Sequence, residues 1–342
     1  MSAGTGTVPG HSTARALELL RAHADHPSAV LALNRGTLRY TGRTAEGLVA
    51  HTRRGRRHVV QFAAPFAAGP DGRGRLLDEF LAHLAAGRGP VPRLTAAQVG
   101  RDDVPLYAER GFAVNQVGST YGIDLARFTV RGKPLAKVRQ NVNRARREGV
   151  TVVETDPGDP GDRRELDAID AEWLAAKGRH VKELAFLVGE RGGPAAALRR
   201  TFLARHRGRT VGYVTYSPVW GGRPGWLYDL TRRSPRAPVG TVELVNLTAL
   251  TRFREEGAPW LHLGLTPFAG LDDRYEPACA SRGLARALRL VAEHGRLVYP
   301  AGSQEAFKLK WAPHVVEPEY VAFQHGVGLP AVWHLLRTTG AV

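Results

Sequence analysis

Residues 133–150, KPLAKVRQNVNRARREGV, constrain this chain more than any other stretch, because six cations and one acid share it with an apolar series at helical spacing. Leu135, Val138, Val142 and Ala145 fall on one face of a helix. At about 100° per residue, Lys133, Lys137, Arg144 and Arg147 gather on the opposite side, Arg139 and Arg146 flank the stripe, and Gly149 supplies a C-terminal stop. The spacing predicts a basic ridge anchored to a core. A merely solvated helix face accounts for the same charges on composition alone.

The whole chain carries Lys+Arg 48 against Asp+Glu 32, a formal net charge of +16, with a sequence pI near 10.6. This balance suits a polyanionic partner: nucleic acid, phospholipid headgroups or a phosphorylated small molecule, each attracted less as salt rises. An arginine-over-lysine bias also follows from a GC-rich genome, so charge alone does not choose among these partners. With 342 residues and 43% apolar content the chain can bury a sizeable core, and its length suits two domains. No run of 18 or more apolar residues and no charged-then-apolar leader is visible, so a cytoplasmic protein is expected. The lone Cys279 excludes an internal disulfide and a multi-cysteine zinc site, and the 13 histidines show no HExxH spacing, so no metal is expected.

Residues 1–10 read as a disordered tail, 11–131 as a first unit, 132–150 as the basic linking helix and 151–342 as a second unit. In the first, a helix starts at Ser12 or Thr13. Strands are expected at AVLALN (29–34), TLRYTG (37–42), HVVQFAA (58–64) and within GFAVNQVGSTYGIDL (111–125), with a helix at GRLLDEFLAHLAA (74–86). In the second, helices are expected at 163–177, at PAAALRRTFLARH (194–206) and at 241–257, and strands at 151–155, 210–220, 225–233, 260–265 and 319–323. PLYAERGFAVNQVGSTYGIDL and EAFKLKWAPHVVEPEYVAF each run aromatic helix, connector, strand, which hints at duplication. The expected class is α/β with mixed sheets, an arrangement repeated twice.

GWLYDLTRR places Asp229 and Arg232 at a strand end, before the loop SPRAPVG and a helix beginning near Gly240. Strand ends that face helix starts are where α/β sheets open to hold ligands, although a surface ion pair has the same spacing. RAPVGT does not match the R-x-x-G-x-G/A turn that holds coenzyme A pyrophosphate in GNAT acetyltransferases, which disfavours that donor. AFKLKWAPHVVEPEY carries Lys308 and Lys310 beside Phe307 and Trp311, a set that pairs phosphates and stacks a base, or equally anchors a core with its lysines solvated. HLGLTPFAGL ends a strand near Thr266 in a loop that could line a pocket.

Taken together and in order, PLYAERGF…DLARF, GKPLAKVRQNVNRARREG, YDLTRRSPRAPVG, HLGLTPFAGL and FKLKWAPHVVEPEY resemble the C-terminal synthase region of bacterial phosphatidylglycerol lysyltransferases and alanyltransferases, over about residues 28–325. The resemblance implies two tandem GNAT-like acyltransferase domains joined by the basic helix, a charged tRNA as donor and co-substrate, and no other cofactor. It implies a hydroxyl or amine acceptor, either phosphatidylglycerol or a soluble small molecule such as a natural-product intermediate, and peripheral contact with the inner membrane face. Asp229 and Arg232 are then the catalytic candidates, with the carboxylate holding the α-ammonium or assisting deprotonation and the guanidinium bracing it. Lys308, Lys310, Gly240 and Thr266 become substrate-binding candidates, and Lys133, Lys137, Arg139, Arg144 and Arg147 tRNA-binding ones. The competing readings are an acyl-CoA-dependent N-acyltransferase and a non-catalytic protein that binds nucleic acid or a membrane surface.

Overall fold

The computed structural model describes residues 13–87, 89–155, 159–177, 186–294 and 301–340; the tail expected at 1–10 lies outside them. Eleven strands form one mixed sheet with helices on both faces, the α/β class expected from the pattern. In chain order the strands are β1 (Leu38–Thr41), β2 (Gly47–Arg53), β3 (His58–Ala67), β4 (Arg93–Gly100), β5 (Ala113–Asp124), β6 (Val150–Glu154), β7 (Arg200–His206), β8 (Arg209–Val219), β9 (Gly225–Arg233), β10 (Trp260–Pro267) and β11 (Val315–Phe323). The helices are α1 (Thr13–His23), α2 (Gly69–Ala85), α3 (Val104–Ala108), α4 (Ala136–Arg147), α5 (Pro160–Lys177), α6 (Thr241–Glu255), α7 (Arg282–His294), α8 (Ala301–Leu309) and α9 (Leu329–Thr338).

The strand order, β1-β2-β3-β4-β11-β5-β10-β9-β8-β7-β6, contains one exchange. β11 lies between β4 and β5, and β5 lies between β11 and β10, all antiparallel. Each of the two stretches thus lends its last strand to the other's side of the sheet. β3 and β4 run parallel around α2, as β9 and β10 do around α6, so the same local order occurs on either side of this seam. At the centre, β5 carries buried polar groups that serve the connection after β10. Gln116 Nε2 donates to the Gly270 carbonyl at 2.9 Å, and Asn115 Nδ2 donates to the Ser281 carbonyl at 3.1 Å.

The basic helix forms as the periodicity predicts. Leu135, Val138, Val142 and Ala145 are 4%, 0%, 1% and 0% exposed, in one cluster with Leu244, Val245 and Phe253 of α6 and its neighbours. Gly149 ends the turn at φ +82°, a left-handed value that favours glycine.

Two expected elements differ. AVLALN forms a 3-10 helix at Ala29–Leu33 instead of a strand, with all five residues buried. A continuous apolar run carries no period, so only its wedging against Leu48, Ala50 and Phe62 decides its shape. PAAALRRTFLARH forms a short 3-10 turn at Ala196–Leu198 and then β7, where Phe202 and Leu203 enter separate clusters on the two faces of the sheet. Pairing with β6 and β8 overrides the helix propensity of Ala, Leu and Arg there.

Candidate active site

Asp229 sits at a bulge. Thr215 pairs with Leu230 and Tyr216 with Tyr228, leaving Asp229 as the extra residue of β9. Bulges re-aim a side chain, and this one turns the carboxylate toward its neighbours on the β7 side. Ser217 Oγ donates to Asp229 Oδ2 at 2.5 Å, and Arg199 Nε lies 3.3 Å from the same oxygen. Both charged side chains are buried, at 3% and 2% exposure. Burial pushes the Asp229 carboxyl up, against the opposing pull of the Arg199 guanidinium and the Ser217 hydroxyl.

Arg199 distributes its remaining donors across the two stretches of the chain. Nη2 donates to Asn34 Oδ1 at 2.8 Å and Nη1 to the Gly192 carbonyl at 3.3 Å. The segment around residues 187–192 is tied down by the first stretch: Asn34 Nδ2 donates to the Val188 carbonyl at 2.9 Å, Gln98 Nε2 to the Leu187 carbonyl at 3.2 Å, and the Arg35 backbone N–H to Glu190 Oε1 at 3.1 Å. Gly189 rests directly on the carboxylate, since a Cβ there would lie 1.9 Å from Asp229 Oδ1. Beside this strap opens a cavity of about 400 Å³, lined by Arg35, Arg163, Arg191 and Arg199 with Asp162 and Asp167 among others. Asp229 does not line it; Arg199 does.

The guanidinium expected at Arg232 is therefore supplied by Arg199. Arg232 instead stacks on Trp173 of α5, 3.8 Å from the ring centroid, with its Nε 3.8 Å from Asp170 Oδ1. Asp229 is buried behind Arg199 and does not reach the cavity. Arg199 was missed because it lies 30 residues from Asp229, in a segment with helical composition. Only the adjacency of β7, β8 and β9 brings Arg199, Ser217 and Asp229 together.

Lys308 and Lys310 point to different places. Lys308 Nζ is buried and donates to the carbonyls of Gly264 and Leu265 at 2.8 and 2.9 Å. Burial drives its ammonium down to about 7, with Glu319 opposing. Glu319, which lies within FKLKWAPHVVEPEY but has no expected role there, is pushed up to about 8 by burial despite Lys308. His26 Nε2 is 3.9 Å from Glu319 Oε2, and burial, helped by His262, lowers His26 to about 4. Between those two values both are neutral, so this contact is not an ion pair. Thr266 is wholly buried on β10 opposite Ser119 of β5.

Lys310 Nζ contacts Glu243 Oε1 at 2.5 Å, and Asn141 Nδ2 of α4 donates to that same oxygen at 2.8 Å. Burial raises the Glu243 carboxyl, but Lys310 and Asn141 outweigh it and hold the group below its usual range. Gly240, at φ +88°, precedes α6 with no room for a side chain, because a Cβ would lie 2.0 Å from the Asn141 carbonyl oxygen. The start of α6 is thus packed against the backbone of α4.

On α4 itself, Lys137, Arg144 and Arg147 are exposed, Arg144 in a 2.8 Å pair with Glu148, while Lys133, expected on the helix, is exposed in the turn before it because α4 begins at Ala136. Arg139 is different: its Nη1 donates to the carbonyls of Val130 and Gly132 at 2.7 and 2.6 Å, bracing the turn that leads into the helix. Among the described residues no group of three or more His, Cys, Asp or Glu is arranged to hold a metal ion, and no helix is long and apolar enough to cross a membrane.

Residues 17–323 match the family described as phosphatidylglycerol lysyltransferase, C-terminal. The chain belongs to that family. A phosphatidylglycerol lysyltransferase of Bacillus subtilis (strain 168) is 26% identical over 247 residues, 70% of this chain and 27% of that protein, so the chain spans about a quarter of the relative's length. Among solved structures, the C-terminal domain of a putative lysylphosphatidylglycerol synthetase from Agrobacterium fabrum superposes with a TM-score of 0.75 at 24% identity, covering 96% of this chain and 98% of that one. L-PGS from Bacillus licheniformis gives a TM-score of 0.76 at 22% identity, covering 96% of each chain. At these identities the likeness to the two structures is one of fold.

Proposed function

We propose that this protein is an aminoacyltransferase that moves an amino acid from a charged tRNA to a hydroxyl or amine acceptor, with phosphatidylglycerol, named in the Bacillus subtilis relative, as the first candidate. The observation that carries the reading is the arginine-lined cavity whose wall includes Arg199, braced from behind by Asp229. Arginines converging on one cavity suit a phosphate-bearing terminus, although Arg191 is already paired with Asp167 and Asp170 and Arg199 with Asp229, and the exposed cations of α4 suit an RNA backbone.

The ester linking an amino acid to the tRNA 3′ end is already activated. The acceptor's oxygen or nitrogen attacks the ester carbonyl, the carbon–oxygen bond to the ribose breaks, and the acceptor's proton passes to the departing ribose oxygen. Positioning supplies much of the rate of such a step. Arg199, held in place by Asp229, Ser217 and Asn34, offsets the charge that develops on the tetrahedral oxygen. Asp229 acts through Arg199.

An acyl-CoA donor is disfavoured by the packing of α4 against Gly240. The helix start that would receive a pyrophosphate lies against the Asn141 carbonyl, and its first turn carries the Glu243 carboxylate. The test is incubation with a charged tRNA pool carrying labelled amino acids, with phosphatidylglycerol and cell extract supplied separately. Label should move to an acceptor and ribonuclease pretreatment should abolish transfer. Transfer from acyl-CoA in ribonuclease-treated mixtures would overturn the reading.

A further inference from the structure

Far from α4 in the strand order, the hairpin joining β2 to β3 reads HTRRGRRH over residues 51–58. Arg53, Arg54, Arg56 and Arg57 are all exposed around Gly55, whose φ of +80° makes the turn. The hairpin lies against α9. The His58 and His334 rings stack at 5.1 Å, and Arg54 Nη1 donates to the Arg337 carbonyl at 3.2 Å. The Arg93 backbone N–H donates to the Arg57 carbonyl at 2.9 Å, which adds the start of β4 to the same corner. Residues 51–58, 89–94 and 324–340 contain no Asp or Glu, so these segments bring no carboxylate to offset the arginines.

The same corner exposes apolar surface. Leu329 is 87% exposed and Trp333, one helical turn on, is 58% exposed, while Val91 is 58% exposed two residues before Arg93. The inner side of α9 is already satisfied, with Ala331, Val332 and Leu335 packed against Val321 and Phe323. An RNA partner would use the arginines and gain nothing from Leu329 and Val91. A bilayer uses both, because cations near an anionic leaflet are attracted to it and Trp and Leu gain by entering the boundary between headgroups and acyl chains.

We infer that the β2–β3 hairpin and α9 form a docking surface for a bilayer bearing anionic phospholipid headgroups, the arginines meeting phosphates while Leu329 and Trp333 enter the apolar boundary. This goes beyond the transfer reaction and rests on the lipid-acceptor reading only for the choice of test lipid. Docking here leaves α4, which packs against α6 and β6 toward the other edge of the sheet, open to a second polyanion.

The experiment is co-sedimentation of the full chain, without tRNA, with vesicles of phosphatidylcholine alone or of phosphatidylcholine with phosphatidylglycerol. The wild type should bind only the anionic vesicles, and less so as salt rises. Combining Arg54→Ser, Arg56→Ser and Arg57→Ser should weaken that binding by about two orders of magnitude. Leu329→Ser with Trp333→Ser should weaken it about tenfold or more and remove fluorescence quenching by brominated lipid. The two variant sets change separate surface groups, and an unchanged thermal midpoint certifies the fold of each. Failure of the wild type to bind, binding by both variant sets as tight as that of the wild type, or an arginine variant that loses tRNA binding while still sedimenting with vesicles would overturn the proposal. Transfer to detergent-dispersed phosphatidylglycerol separates the two ideas, since the surface variants should keep it, and its absence in a wild type that still binds vesicles would count against the reaction alone.

Discussion

Arg199 Nε lies 3.3 Å from Asp229 Oδ2 in a pair that is almost wholly buried, although Arg199 sits just before β7 and Asp229 on β9, with β8 between those strands, in parts of the sequence that share no motif. A buried pair is costly to break from one side, because the partner left behind is an uncompensated charge. Arg199→Ala should therefore cost about 3–5 kcal/mol of stability and abolish transfer. Asp229→Asn keeps a partner for Ser217 and Arg199, so it should fold and bind tRNA while losing most of its turnover. Arg232→Gln should loosen α5 and leave most of the turnover. Urea midpoints and turnover for the three variants rank them, and a larger loss of turnover in Arg232→Gln than in Asp229→Asn would return the guanidinium role to Arg232.

Gly189→Ala tests the strap. Its methyl group would meet Asp229 Oδ1 at 1.9 Å, so either the strap or the carboxylate must shift. Turnover should fall at least tenfold, by roughly the 1.4 kcal/mol that a small misplacement costs. Wild-type kinetics in this variant would show that the strap can sit elsewhere without consequence.

The basic helix offers separable effects. Val142→Ala removes two methyl groups from the core and should destabilise by about 1–2 kcal/mol with no direct effect on tRNA affinity. Replacing Lys137, Arg144 and Arg147 by Ala should do the reverse: little change in stability, weaker tRNA binding, and a salt dependence flatter by about one unit for each phosphate no longer neutralised. Unchanged affinity would make the ridge a solvated face.

His26 gives a pH signature. Its folded value of about 4 lies below the ordinary 6.5, so the native state excludes a proton that the unfolded chain accepts. Its contribution is fully present above 6.5 and is lost as pH falls through 4, amounting to about 3 kcal/mol. Glu319 runs the other way: raised to about 8 from 4.5, it makes stability fall as pH rises between those values. His26→Gln isolates the first effect. The stability of the variant relative to wild type should improve by about 3 kcal/mol as pH drops from 6.5 to 4, read from urea midpoints, and a flat difference would mean that His26 is protonated in the fold.

The packed face of α4, the order of most strands and helices and the family itself were legible in the residues, because each rests on local periodicity or on motifs kept in sequence order. Leu135, Val138, Val142 and Ala145 needed no partner to be recognised as one face. What stayed hidden depends on which strand lies beside which. The exchange of β5 and β11, the conversion of residues 200–206 into a strand, and the meeting of Arg199, Ser217 and Asp229 all follow from non-local pairing. Phe202 and Leu203 show the reason, since a strand buries consecutive side chains on opposite faces and a helix would have had to place both near one side. The sequence determined which residues had to be inside; the sheet decided which of them met, because burial is a property of each side chain and contact is a property of the topology.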